Sequence, residues 1–142
     1  MKKLAFLLLV FPAYVNAQSF SFAPQSMDFW GGATNITEIS FSYNDISVHY
    51  FKAFVGKDVY NNPNQSTFAI SYKPIKYKFA KLGGIVSNNT FPNKNGTNAN
   101  FILELEYRIK QVGISYKHIS NGFGLLHHSN LGMDNISLRY YF

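Results

Sequence analysis

The chain has 142 residues, 13 Lys and Arg against 7 Asp and Glu, 46% hydrophobic and 18% aromatic residues, only 14% charged residues, and no cysteine. This length holds one domain and not two, and the missing cysteines exclude disulfide staples and thiol metal chemistry. The basic excess is too small for a nucleic-acid groove, and Tyr and Phe recur along the whole chain instead of clustering with Lys and Arg as base-stacking sites would.

The first segment is Met1-Lys2-Lys3, an apolar stretch from Leu4 to Phe11, and then Val15-Asn16-Ala17 before Gln18. This is the pattern of a secretory signal peptide, with small residues at its cleavage site. The expected division is therefore a signal peptide over 1–17 and one domain over 18–142. The apolar run is shorter than the roughly 18 residues of a transmembrane helix, and no later segment reaches that length. Without Lys2 and Lys3 the 13 basic residues fall to 11 against 7 acidic ones, a net charge of about +4 that suits an anionic membrane surface.

From Gln18 onward, clusters of Asn, Gly, Pro and Asp separate runs of strand length in which every second residue is apolar. Strands are expected at about 19–27, 36–43, 46–56, 67–73, 76–86, 99–109, 112–121 and 134–142. In the clearest of them, Phe101, Leu103, Leu105, Tyr107 and Ile109 share one face while Ile102, Glu104, Glu106 and Arg108 share the other. Ile39, Phe41 and Tyr43 oppose Glu38, Ser40 and Ser42 in the same way, and Ile136, Leu138, Tyr140 and Phe142 oppose Asn135, Ser137, Arg139 and Tyr141. Pro24 weakens the first strand, Pro74 marks a break after 67–73, and the strand from Ile46 can be phased either way because Lys52 shares a face with Val48, Tyr50 and Phe54.

Eight such strands, high aromatic content and a terminal Phe in an alternating strand point to an all-β fold. The expectation is an eight-stranded antiparallel up-and-down transmembrane β-barrel, greasy outside and polar inside. Glu38, Glu104 and Glu106 with Lys73, Lys117, Arg108 and Arg139 then lie inside as paired charges, read as a packed polar lumen and not as a proton path.

One constellation breaks the pattern. Val112, Ile114, Tyr116, His118 and Ser120 share the greasy face of one strand, and Asp134 falls in phase with Ile136, Leu138 and Tyr140 on the next. Late residues of the first strand lie opposite early residues of the second, with facing Cβ atoms about 5 Å apart. A hydroxyl, an imidazole and a carboxylate so arranged are the parts of a serine ester hydrolase, and polar groups turned toward lipid are costly without a role.

The string His118-Ile-Ser120-Asn121-Gly122, a short loop, Asn130-Leu-Gly132-Met-Asp134 and a final alternating strand resembles the lipid A 3-O-deacylase family of the PagL type. The likeness covers about 25 residues. It implies Ser120 as nucleophile, His118 as general base, Asp134 as orienting acid where the family has Glu, and Asn130 as an oxyanion donor, with Asn121 and Gly122 beside the substrate. A second copy of the motif, His127-His128-Ser129-Asn130, lies in the loop and is read as a decoy. The resemblance implies an esterase in the bacterial outer membrane that removes the ester-linked 3-acyl chain of lipid A. Its partners would be lipopolysaccharide and membrane lipid, without nucleic acid, cofactor or metal, and a homodimer is the assembly to be tested. The alternatives are a non-enzymatic structural or adhesive barrel and an outer-membrane phospholipase with the same triad.

Overall fold

The computed structural model describes residues 18–27, 36–53, 66–89, 97–120 and 132–142, so the expected signal peptide lies outside the described residues. Among the described residues the strands are β1 (Ser19–Ala23), β2 (Ser26–Met27), β3 (Ile36–Tyr43), β4 (Ile46–Ala53), β5 (Ser66–Tyr77), β6 (Ala80–Ser87), β7 (Ala99–Ile109), β8 (Val112–Ser120) and β9 (Met133–Tyr141). Each of β3 to β8 pairs antiparallel with the next, and β1 pairs with both β3 and β9, which closes the sheet. β2 also pairs with β9, so β1 and β2 together make one interrupted strand of an eight-stranded up-and-down barrel. The interruption falls at Pro24, which has no N–H to give a ladder, and the register with β9 slips by one residue across it.

At one end of the barrel three two-residue turns join β3 to β4, β5 to β6 and β7 to β8, each entered through a residue in the left-handed region: Asn44, Lys78 and Lys110. Gln18 and Phe142 sit at this end and are joined by the Phe142 N–H donating to the Gln18 carbonyl at 3.2 Å.

Pro74 does not end a strand, contrary to the sequence expectation. It lies inside β5 at a bulge, where the register with β6 shifts by one residue between Tyr72 and Ile75, and the true turn follows at Lys78 and Phe79. The bulge removes the need for an N–H from Pro74 and also changes the phase of the strand. Phe68, Ile70 and Tyr72 point outward before it and Ile75 and Tyr77 after it, so the outer face stays apolar throughout. Gly83 faces this bulge so closely that a Cβ there would stand 1.9 Å from the Tyr72 carbonyl oxygen. Gly83→Ala is therefore expected to destabilise the barrel by about 1–3 kcal/mol or more. Gly84→Ala, whose Cβ would meet only the Asn100 carbonyl oxygen at 3.8 Å, should change stability by under about 0.5 kcal/mol. The temperature at which the folded band converts to the unfolded one on SDS gels reads both.

The alternation predicted from sequence decides which side chains go in. In β4, His49 and Phe51 point inward and Val48 outward, which settles the phase left open by Lys52; residues 54–56 of that expected strand lie outside the described residues. The interior is layered. Ile36, Phe51, Ala69, Ile85, Ile102, Ile119 and Met133 form an apolar layer toward the end away from the short turns. Beneath it lies a charged layer centred on Glu38, which accepts from Lys117 Nζ at 2.5 Å, from Asn135 Nδ2 at 2.8 Å and pairs with His49 Nδ1 at 2.8 Å. A second cluster follows, in which Lys73 meets Glu104 at 2.6 Å, Arg139 Nη1 meets Glu104 at 2.5 Å and Glu106 at 2.8 Å, and Lys81 meets Glu106 at 3.0 Å. The expected internal ion pairs are thus present for every residue named except Arg108. That guanidinium lies exposed at the mouth, 3.6 Å from the Tyr141 ring centroid, with Nε donating to the Lys110 carbonyl.

The outer wall is the inverse. Large apolar side chains such as Val48, Ile70, Ile109, Ile114, Leu138 and Tyr140 are about half or more exposed. The described residues contain no helix long and apolar enough to cross a membrane, a statement that has no bearing on strands.

Candidate functional site

On this outer wall β8 and β9 run antiparallel, and their register sets His118 directly opposite Asp134. The two share the outward phase with Ile114, Tyr116, Ile136 and Leu138. Direct opposition allows the short Asp side chain to reach, and His118 Nδ1 lies 2.8 Å from Asp134 Oδ1. A carboxylate at that distance holds the Nδ1 proton as the donor and leaves Nε2 as the basic nitrogen. Asp134 is fully buried although it points outward, while the His118 side chain remains 21% exposed.

Two neighbours complete the pair. Tyr116, two residues before His118 on the same face, donates its hydroxyl to the same Asp134 Oδ1 at 2.5 Å. A diagonal contact of this kind lies within reach of a long aromatic side chain. Gly132, at φ 65°, lies against the imidazole, and a Cβ there would stand 2.6 Å from His118 Cε1. Only a residue without a side chain lets the ring approach this closely while the chain turns into β9. Gly132→Ala is expected to push the ring off Asp134. The downfield Nδ1 proton resonance of His118 should be lost while the barrel keeps its gel mobility shift.

The dyad is also fastened from behind. The residues next to His118 and Asp134 in sequence are Lys117 and Asn135, which pair with each other in register, point into the lumen and both bond to Glu38 of β3. A slip of β8 against β9 by one residue would turn His118 inward and tear both contacts, so the interior network specifies the exterior site. Burying Asp134 leaves its Oδ2 without a hydrogen-bond partner among the described residues.

Ser120 lies two residues beyond His118, in the same phase, opposite Phe101 and 4% exposed. Two residues of strand separate their backbones by about 6.6 Å, and no hydrogen bond joins the Ser120 hydroxyl to His118 in this structure. Asn121, Gly122 and Asn130, together with His127, His128 and Ser129 of the second motif copy, lie outside the described residues. The structure thus brings His118 and Asp134 into contact and sets Ser120 beside them. Tyr116 and Gly132 are the site residues to which sequence reasoning gave no role. The Tyr116 contact was open to view in the pairing of two outward positions across one hairpin.

Searches of known protein families, curated proteins and solved structures find no match to this chain.

Proposed function

We propose that this protein is an outer-membrane esterase that removes the ester-linked 3-acyl chain of lipid A. One observation carries the reading: a paired His118 and buried Asp134, with Ser120 in phase, toward the loop end of a face otherwise given to exposed apolar side chains. An apolar outer wall around a barrel of this size suits a hydrocarbon surrounding, and a polar group turned toward lipid is costly unless it acts there. On the lumen side of this pair lie the apolar layer and the Glu38–Lys117 ion pair. Export by a cleaved signal peptide and residence in the outer membrane fit the same picture.

In this reading Ser120 Oγ attacks the ester carbonyl as His118 Nε2 takes its proton, and Asp134 stabilises the imidazolium that forms. His118 then returns the proton to the departing sugar hydroxyl. Water, deprotonated by His118, releases the fatty acid from Ser120. Asn130 and a backbone amide near Gly122, carried over from the family motif, are the donors to the tetrahedral oxyanion. The acyl chain of the substrate lies along the apolar wall beside Ile114, Ile136 and Leu138.

Purified protein in detergent, incubated separately with lipopolysaccharide and with glycerophospholipid, tests the substrate class. Release of 3-hydroxy fatty acid from lipopolysaccharide alone is the expected result. Release from phospholipid alone would assign the protein as a phospholipase, and release from neither would leave a non-enzymatic barrel.

A further inference from the structure

The short-turn end of the barrel lies about 20 Å along β8 from His118 and opens into a cavity of about 350 Å³. Lys73, Lys81, Arg108 and Arg139 line it together with neutral polar groups that include Gln18 and Asn44, and no acidic side chain is among its lining residues. Lys73 and Lys81 are held by Glu104 and Glu106. Arg139, with 2% of its side chain exposed, meets those same carboxylates through Nη1, while its Nε and Nη2 have no hydrogen-bond partner among the described residues.

Arg108 differs from the other three. Its guanidinium is fixed in place by the Tyr141 ring at 3.6 Å and by the Lys110 carbonyl at 2.6 Å, yet no carboxylate pairs with it among the described residues. A guanidinium held rigidly at a cavity mouth without a counter-ion is pre-organised for an anion, since its fork has lost its freedom before binding. The charge count agrees. Among the described side chains of the lumen and its mouth, five cations, Lys73, Lys81, Lys117, Arg108 and Arg139, stand against three carboxylates, Glu38, Glu104 and Glu106, while Asp45 in the β3–β4 turn is paired with Lys76. Five against three leaves two positive charges in excess of these carboxylates.

We propose that this mouth binds a phosphate-type oxyanion, with Arg108 and Lys81 as its direct ligands above Arg139. Two arginines and a lysine around one polar cavity match the several acceptor oxygens of such a group, and the Arg fork engages it bidentately. The phosphate reaches the mouth either free or as the headgroup of an anionic lipid.

The test is NMR observation of the arginine Nε–H resonances of the detergent-solubilised full barrel. Inorganic phosphate is titrated at ionic strength held constant with chloride, and a parallel series uses bicelles of phosphatidylcholine with increasing phosphatidylglycerol. A saturable shift of the Arg108 resonance is expected in at least one series, and the series that responds identifies the source. In Arg108→Gln the response is followed at Arg139 and half-saturation should rise at least tenfold, with a smaller rise in Tyr141→Leu, where the supporting ring is gone. Arg108 joins no ion pair in the barrel, so both variants should retain the gel mobility shift of the folded protein. Non-saturating shifts in both series, or half-saturation unchanged in Arg108→Gln, would overturn the proposal.

Discussion

His118→Ala is expected to abolish acyl release from lipopolysaccharide, and Asp134→Asn to lower it by about 10⁴-fold, with the barrel folded in both cases. In the proposed mechanism the imidazole is the base that takes the Ser120 proton. Asp134→Asn keeps the shape of the side chain but presents an amide where a carboxylate accepted from both His118 Nδ1 and the Tyr116 hydroxyl. An amide nitrogen turned toward Nδ1 forces the proton onto Nε2, the nitrogen that must be free. The split between the parameters is informative. If the acyl chain is held by the apolar wall, KM should stay near that of the parent while kcat falls. A fall in binding without a fall in kcat would show that Asp134 serves the surface and not the chemistry. Fatty-acid release read by mass spectrometry, with gel mobility as the folding control, makes the distinction.

The second large effect concerns the lumen. Lys117→Met is expected to destabilise the barrel by about 3–5 kcal/mol, because it leaves the Glu38 carboxylate buried with a charge that His49 and Asn135 only partly satisfy. Removing both charges together, in Glu38→Gln with Lys117→Met, should cost clearly less than the sum of the single changes, which is the signature of a direct pair. The conversion temperature on SDS gels, measured for the four proteins of this cycle, gives the comparison. Additive losses would mean that the pair stabilises nothing by its contact. Because Lys117 and Asn135 stand directly behind His118 and Asp134, the single variant should also loosen the dyad and show a broadened Nδ1 proton resonance.

Most of the barrel was legible in the chain because its strands obey one physical rule, alternation with a period of two. The stretch from Phe101 to Ile109 shows the rule in its clearest form, and the structure places its Glu104 inside and its Tyr107 outside as the pattern required. The rule fails to locate elements where local chemistry is ambiguous. Pro74 reads as a breaker, yet a bulge opposite Gly83 absorbs it, and only the resumption of outward apolar residues at Ile75 and Tyr77 betrays that the strand continues. Lys52 obscured the phase of β4, since a Lys on an outer face looks like a lumen residue. The structure puts His49 inside, against Glu38, and half-buries Lys52 outside, with its amine donating to Ser66.

The site was legible in part. The common phase of His118, Ser120 and Asp134 is a sequence property, whereas the register that makes His118 and Asp134 direct opposites is a property of the folded hairpin. Arg108 belonged to the lumen face by alternation alone. Its position next to the end of β7 frees it to lie over Tyr141, which no periodicity reveals.

The central claim is that Ser120 cleaves an ester of the surrounding membrane. Lipid A from bacterial cells producing the parent protein should carry one ester-linked 3-acyl chain fewer than lipid A from cells producing Ser120→Ala, seen as a mass difference of one 3-hydroxy fatty acid with both barrels folded at equal amounts. Equal lipid A masses in the two strains, both lacking the chain or both retaining it, would contradict the account.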